Sequence, residues 1–271
     1  MRLKELPLGM KRVRVIGERW ATILKVTCIL FLLFAMALLY SRWVPNDRGG
    51  VPSTSSFVDM SRAAIVDGIG FTRPNPSFIQ GVREMLEGAG LRVDVYEGGN
   101  VTIDLLRRIG GYGLLILRLH SAIDPKYGFL YLFSAERFNE TEYETRFNGE
   151  RRTGAVREGI TFENETYFTL RADLLGYMNQ GGLNGSTIIL MGCNGTNSEH
   201  AINRLFERGV KAIIAWDGYV DLNYTDKVTL KLIEAIYKKG IRFEEAVNKI
   251  MEESGPDPAY KSKLKCLIKS G

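Results

Sequence analysis

Short apolar segments alternate with amphipathic segments along most of this chain, and that alternation restricts the possible folds more than any other feature. The apolar segments are rich in β-branched residues, as strands buried on both faces are. Strands are predicted at 63–69, 92–96, 114–120, 187–193 and 211–216, and helices at 75–90, 100–109, 199–209, 225–240 and 243–253. This order predicts an α/β fold with a doubly wound, mainly parallel sheet of about five core strands.

Residues 121–186 interrupt the alternation. They contain an apolar and aromatic run at 127–133 and several charged turns, which predict an inserted β-rich segment with a hairpin or two and a short helix. The α/β domain as a whole is expected to span 61–256. Residues 257–271 carry several lysines and are expected to form a basic C-terminal tail that is solvated or frayed.

A long apolar run at 21–40 predicts a transmembrane helix that precedes the domain. Twenty residues at about 1.5 Å each span the hydrocarbon core of about 30 Å, and Trp20 and Trp43 fall at its two interfaces. The anchor is therefore predicted at 21–43, after a tail at 1–20 and before a Pro-, Gly- and Ser-rich linker at 44–60. The alternative is a cleaved signal peptide, since Ala35 and Ala37 have the small-residue spacing of a cleavage site, but this pair lies inside the apolar run.

The charge distribution predicts the orientation of this anchor. Residues 1–20 contain six basic and two acidic residues, which favours a cytoplasmic N-terminus and an extracellular domain in the cell membrane. The rest of the chain is nearly balanced, so the net charge of +5 does not indicate a nucleic-acid partner. Glutamine occurs only at positions 80 and 180 while Lys, Arg and Glu are plentiful, a composition that favours a thermophilic source.

Asn-x-Ser/Thr sequons agree with export. Six occur beyond the anchor, where chance would give about one. They predict a glycoprotein, more natural for an archaeal or eukaryotic source, although Asn and Thr also share turns for structural reasons. The expected glycosylation sites are Asn100, Asn139, Asn164, Asn184 and Asn223, and Asn194 is expected to stay unmodified because it follows Cys193.

Two of the predicted central strands end in residues with reactive side chains. The strand at 114–120 ends in His120 and the strand at 187–193 ends in Cys193. The carboxyl ends of parallel strands share one edge, so the two side chains lie near each other if these strands are neighbours. A thiol and an imidazole that lie near each other are typical of nucleophilic catalysis.

Other interpretations of these residues remain open at this point. A cysteine after a buried strand is often a small hydrophobic residue, and His200 is close enough in sequence to be the base instead. A disulfide between Cys193 and Cys266 is conceivable in an oxidising exterior. No metal or cofactor is expected, because the spacings of metal sites and the glycine-rich loops of nucleotide sites are missing from the sequence.

The two strand ends resemble those of the caspase-like (clan CD) cysteine peptidase superfamily, in which an apolar strand ends in His-Gly and a later one in Ala/Gly-Cys. In this chain the first apolar strand is 114–119, followed by His120-Ser121. The second is 188–191, followed by Gly192-Cys193. The C-terminal part is similar to CHAT and gingipain-type domains, with 209–216, Thr225-Asp226 and 243–247 in the same order. The resemblance covers about residues 60–253.

The resemblance implies a cysteine peptidase that cleaves peptide bonds with a dyad of Cys193 and His120 and no cofactor. Backbone N–H groups of Ser121 and Cys193 would form the oxyanion hole. The family's glycine after histidine is Ser121 here, and its Cβ is expected to narrow the approach of a substrate. Asp67, Asp217 and Trp216 are candidates for substrate binding, in the first two cases as an acidic pocket for Lys or Arg.

Two other functions stay open from the sequence. The chain could be a catalytically inactive caspase-like surface module that binds a protein or peptide partner, which Ser121 and the sequon at Asn194 favour. It could also be a small-molecule-binding α/β domain in which Cys193 is merely buried. Oligomeric state does not follow from the sequence. Whether the strands that end in His120 and Cys193 are neighbours decides how strong the first interpretation is.

Overall fold

The computed structural model describes residues 59–179 and 181–269 of the chain, and the strands found there divide between two sheets. The strands are β1 (Asp59–Asp67), β2 (Arg92–Glu97), β3 (Tyr112–Arg118), β4 (Ser121–Ile123), β5 (Leu130–Arg137), β6 (Val156–Ile160), β7 (Thr166–Arg171), β8 (Thr187–Leu190), β9 (Ala212–Trp216) and β10 (Leu264–Ile268). The α-helices are α1 (Pro76–Gly88), α2 (Ile103–Arg108), α3 (Glu140–Arg146), α4 (Asn148–Thr153), α5 (Glu199–Glu207), α6 (Leu222–Ile233) and α7 (Phe243–Ser254), and a π-helical turn at Glu234–Lys238 extends α6.

The main sheet has six strands in the order β10-β9-β8-β3-β1-β2. All neighbours pair in parallel except β10, which runs antiparallel to β9. Strands β3 and β8 are buried along their whole length, because helices or the second sheet cover both faces. The predicted α/β class with a mainly parallel sheet is therefore confirmed.

Strands β3 and β8 are direct neighbours, which was the condition for bringing the two strand ends together. Their register runs from Leu114 opposite Thr187 to Leu117 opposite Leu190. His120 and Cys193 each follow the last paired residues, Leu117 and Leu190, by three positions.

The segment between β3 and β8 builds the second sheet, with antiparallel strands in the order β4-β5-β7-β6. Helices α3 and α4 connect β5 to β6. The inner face of this sheet packs on the main sheet through Leu132, Phe168 and Leu170, in one apolar cluster with Leu117 of β3. The chain enters this sheet immediately after His120, so the second sheet fixes one wall of the region around that residue.

Helices lie on both faces of the main sheet, as doubly wound folds require. On one face α1, α6 and α7 bury a cluster that includes Phe78, Val228 and Ala246. On the other face α2 and α5 pack beside the second sheet through Leu106 and Leu205. The ends of the helices are set by local caps; Asn75, for example, accepts a hydrogen bond from the backbone N–H of Phe78 before Pro76 opens α1.

Two local expectations need correction. The C-terminal tail is not a frayed end throughout, because residues 264–268 form β10 and make the sheet six-stranded. Helix α6 begins at Leu222 with Asp221 as its N-cap, three residues before the predicted start. Thr225 is therefore buried inside the helix, where its hydroxyl accepts a hydrogen bond from Trp216 Nε1 at 2.9 Å.

The predicted cytoplasmic tail at 1–20 and the anchor at 21–43 lie outside the described residues. The linker predicted at 44–60 overlaps β1, which begins at Asp59. Within residues 59–179 and 181–269, no helix combines the length and the apolar character that crossing a bilayer needs.

Candidate active site

His120 lies where the chain leaves the main sheet for β4. Its ring is half-buried and meets the ring of Phe133 nearly edge-on, with centroids 6.1 Å apart. Burial lowers the pKa of His120; the carboxylate of Glu163 opposes this effect and the guanidinium of Arg118 adds to it. The imidazole is therefore neutral at neutral pH and able to accept a proton.

Cys193 lies in the turn that follows β8, and hydrogen bonds hold the peptide that joins it to Asn194 from two sides. The Ser121 hydroxyl donates to the Cys193 carbonyl at 2.6 Å, and the Asn194 N–H donates to the Gly218 carbonyl at 2.8 Å. The thiol itself makes a weak contact of 4.0 Å with the Val220 carbonyl. Burial raises the pKa of the Cys193 thiol.

The two residues line one cleft at the carboxyl edge of the main sheet. The cleft has a volume of about 920 Å³ and is also lined by the loops that follow β1 and β9. The backbones around the two residues touch, because a Cβ on Gly192 would overlap the Ser121 hydroxyl and the Leu119 carbonyl. The structure thus brings His120, Ser121 and Cys193 together, at the edge where parallel α/β sheets bind ligands.

The electrostatics of this pair favour two neutral groups. A raised thiol pKa and a lowered imidazole pKa both oppose transfer of the proton from Cys193 to His120 in the resting protein. Burial therefore works against a resting thiolate at Cys193. A reaction at this thiol would need the proton to leave as the new bond to sulfur forms.

A buried ion cluster that the sequence did not predict forms part of the cleft wall, because Arg118 and Asp226 line the cleft. Arg118 donates to Asp67 at 2.8 Å and to both carboxylate oxygens of Asp226 at 2.9 and 3.0 Å. The three side chains are 1–4% exposed. Asn75 donates to Asp226 and the Gly70 N–H donates to Asp67, each at 2.8 Å, so the carboxylates are well satisfied.

The signal for this cluster was an arginine inside an apolar strand. Arg118 interrupts the run at 114–119, and a buried guanidinium needs a carboxylate partner. Burial raises the pKa of Asp67 although Arg118 lowers it. The cluster ties β1, β3 and α6 together two residues before His120, so Asp67 holds the strand end rather than lining the cleft.

The other two residues proposed for substrate binding also lie outside the cleft lining. Trp216 is fully buried at the end of β9. Asp217 pairs with Lys265 at 3.0 Å and accepts from the Lys263 N–H at 2.7 Å, so it ties β9 to β10. The antiparallel edge strand β10 pairs with β9 beside these residues, with Leu264 opposite Trp216.

Acidic and aromatic groups from the turn between β6 and β7 line the cleft instead. Glu163 pairs with Arg73 at 3.2 Å across the cleft, and Glu165 pairs with Arg137 at 2.6 Å. Phe162 in the same turn is 79% exposed, and its ring lies 5.6 Å from that of Tyr219. These residues belong to the inserted segment, whose contacts with the cleft could not be read from the alternation of strands.

The remaining candidate residues are placed away from the thiol or on the surface. His200 lies 3.4 Å from the buried Asp173 and packs on Phe129, and it is not part of the cleft lining. Cys193 and Cys266 are both free thiols, so the conceivable disulfide between them is not formed. The expected glycosylation sites are exposed, namely Asn100, Asn139, Asn164, Asn184 and Asn223. Asn223 also lines the cleft.

Comparison with known proteins leaves the family of this chain open. No family model matches the sequence, and no curated protein matches it. Among solved structures, the chain is similar to the crystal structure of gingipain R, an Arg-specific cysteine proteinase, with a TM-score of 0.40 and 13% sequence identity. The match covers 72% of this chain and 43% of that proteinase, so the chain spans less than half of its length. A likeness of this size does not assign a family or an activity.

Proposed function

We propose that this chain is a caspase-like cysteine peptidase whose nucleophile is Cys193 and whose proton carrier is His120. The observation that supports this most is the pairing of β3 with β8 in a register that carries both residues to one edge of the sheet and into one cleft. The motifs around both residues resemble those of clan CD peptidases. The substrate is a peptide or protein.

The chemistry uses groups that line the cleft. As the Cys193 sulfur bonds to the carbonyl carbon of the scissile peptide, His120 takes the thiol proton, and the electron pair of the carbonyl moves to its oxygen. When that pair returns, the C–N bond breaks, and His120 gives the proton to the leaving amine. His120 then takes a proton from a water molecule as its oxygen attacks the carbonyl carbon of the thioester. The C–S bond breaks, the acid is released, and His120 returns the proton to the sulfur.

The backbone supports an oxyanion hole at this position. Ser121 is opposite Leu132 in the ladder between β4 and β5, and the Phe133 N–H donates to the His120 carbonyl at 2.9 Å. His120 and Phe133 are therefore a hydrogen-bonded pair of the antiparallel ladder. The next pair, Ser121 and Leu132, is not hydrogen-bonded, and its N–H groups point away from the partner strand. The Ser121 N–H is therefore turned away from β5, and together with the Cys193 N–H it is our candidate donor to the oxyanion.

Substrate preference is the finer part of the proposal. Glu163 and Glu165 are carboxylates at the cleft that suit a Lys or Arg side chain, and they take the role that the sequence gave to Asp67 and Asp217. Both are already paired with arginines, so a basic side chain of the substrate would exchange with Arg73 or Arg137.

Labelling of the thiol tests the proposed function. The full chain is treated with a peptidyl acyloxymethyl ketone and with fluorogenic Lys and Arg peptides. We expect labelling at Cys193 and turnover, both lost in Cys193→Ala, with turnover reduced about 10²- to 10⁴-fold in His120→Ala. Cys266→Ala is the matched control and should behave as the unaltered chain. Labelling no faster than that of the urea-unfolded chain would contradict the proposal.

A second candidate function is an inactive caspase-like module that binds a peptide in the same cleft. Burial of the Cys193 thiol favours it, because burial raises the pKa of the thiol and so opposes formation of a thiolate. In that case peptides would bind with equal affinity to the unaltered chain and to Cys193→Ala, and no turnover would be seen.

The proposed setting is the outer face of a cell membrane, with the chain anchored through residues 21–43. The apolar run, the basic residues before it and the sequons after it support this location. Protease digestion of sealed vesicles tests it, since the domain at 61–256 should be cut only from the extracellular side.

A further inference from the structure

A serine hydroxyl contacts the backbone of the proposed nucleophile. Ser121 is 6% exposed, and its hydroxyl donates to the carbonyl oxygen of Cys193 at 2.6 Å. The space for this contact exists because Gly192 has no side chain, and a Cβ there would overlap the Ser121 hydroxyl. Ser121 therefore does not narrow the cleft as the sequence suggested, because its side chain is turned to the backbone of the cysteine.

The hydrogen bond from Ser121 holds one side of the turn that follows β8. The other side of this turn is held by β9 and the loop after it. The Asn194 N–H donates to the Gly218 carbonyl and the Thr196 N–H donates to the Trp216 carbonyl, at 2.8 and 3.1 Å. On the opposite side, the Cys193–Asn194 peptide is held by the hydroxyl of Ser121, the first residue of β4. Because this planar peptide is held through both its C=O and its N–H, rotation about its neighbouring bonds is restricted.

We infer that Ser121 is a positioning residue for Cys193: its hydroxyl holds the cysteine carbonyl away from the cleft and so fixes the thiol and the Cys193 N–H for reaction. A carbonyl turned into the cleft would bring its negative end toward the sulfur and the developing oxyanion. The expected effect of Ser121 on catalysis rests on the proposed function. Its expected effect on the position of the Cys193 thiol does not.

The chain offers a matched control at the other end of the same two strands. Ser186, directly before β8, is fully buried, and its hydroxyl donates to the Tyr112 carbonyl at 2.7 Å. Ser186→Ala removes a bond of the same kind at the opposite end of the β3–β8 pair, away from the cleft. A loss confined to Ser121→Ala therefore cannot come from general loosening of this strand pair.

The experiment compares Ser121→Ala, Ser121→Gly and Ser186→Ala in the full chain, each checked for folding by circular dichroism. With the peptidyl acyloxymethyl ketone, we expect the maximal inactivation rate to fall about ten- to a hundredfold in both Ser121 variants, with little change in the probe concentration for half-maximal rate. In Ser186→Ala the rate should stay within about twofold. An equal rate in Ser121→Ala and Ser186→Ala would overturn the inference.

Iodoacetamide separates this outcome from failure of the proposed function. If the peptidyl probe does not label the unaltered chain, the peptidase proposal fails, and alkylation of Cys193 by iodoacetamide still measures its positioning. Release of the turn should then make alkylation at least about threefold faster in Ser121→Ala than in Ser186→Ala. Equal alkylation rates in those two variants would reject the role of Ser121 whether or not the chain is a peptidase.

Discussion

At the amino end of the β3–β8 pair, Ser186 donates to the Tyr112 carbonyl; just beyond its carboxyl end, Ser121 at the start of β4 donates to the carbonyl of Cys193, which follows β8. The two hydrogen bonds are alike, but their surroundings are not. The Tyr112 hydroxyl donates to Asp94 and contacts the Tyr96 hydroxyl, each at 2.8 Å. Polar side chains at the amino end thus satisfy one another.

At the carboxyl end, the reactive side chains face a cleft instead. His120 is oriented by its contact with the Phe133 ring, and the Cys193 thiol by a contact of 4.0 Å with a carbonyl. Buried polar groups are normally hydrogen-bonded, so groups with little internal bonding are typical of sites that act on something else. The difference between the ends teaches that the sheet stabilises both in the same way and leaves one of them available for chemistry.

Removal of the buried arginine at the carboxyl end should give the largest change. Arg118→Met leaves the carboxylates of Asp67 and Asp226 buried without their cation, and we expect a loss of about 3–5 kcal/mol in the free energy of unfolding. At the amino end, Arg62 pairs with Asp94 at 2.5 Å, but both side chains are more than a third exposed. Arg62→Met should therefore cost at most about 1 kcal/mol.

Urea unfolding measures both losses, and pH separates their causes. Burial already raises the pKa of Asp67, and loss of Arg118 raises it further, so the folded variant binds more protons than the unfolded chain as the pH falls toward the ordinary carboxyl value. The deficit of Arg118→Met should therefore shrink between pH 7 and pH 5. A deficit that is constant over this range would mean that lost packing, not unpaired charge, destabilises the variant.

Glycine substitutions at the two ends should give an intermediate change. A Cβ on Gly192 would overlap Ser121 and the Leu119 carbonyl, and a Cβ on Gly113 would lie 2.8 Å from Met60 Cα. Each alanine variant should lose about 1–3 kcal/mol of stability from overpacking. Only Gly192→Ala should also slow labelling of Cys193, because it displaces the Ser121 hydroxyl. Equal labelling in the two variants would show that the carboxyl end tolerates distortion as well as the amino end does.

The carboxyl-end arrangement could be predicted from the sequence because it depends on strands. The runs that end at His120 and Cys193 are apolar except for Arg118, so they belong in the middle of a parallel sheet, where neighbouring strands end at one edge. Their contact then needs only that β3 and β8 be adjacent. The same reasoning gave the α/β class, since the alternation is a local pattern.

Features that depend on long-range pairing could not be predicted. Arg118 pairs with Asp67 and Asp226, which lie far from it in the sequence. No local pattern distinguishes these two from the other acidic residues. The strand β10 was missed because it is an edge strand, half exposed and flanked by lysines, which looks like a solvated tail. The thiol contact with Val220 depends on how a loop folds back, which periodicity does not describe.

The smallest effect concerns the ionisation of the thiol in the resting protein. Burial raises the pKa of Cys193 and lowers the pKa of His120, so at pH 7 the thiolate fraction should be below that of the unfolded chain. Alkylation by iodoacetamide follows the thiolate, and its rate at Cys193, measured by mass spectrometry of the labelled peptide, should rise tenfold per pH unit between pH 6 and pH 8. Burial also raises the pKa of Cys266, to about 11, which makes it an internal reference. A rate at Cys193 that is already level below pH 7 would reveal a thiolate–imidazolium pair, and the carboxyl end would then hold its charge separation before any substrate binds.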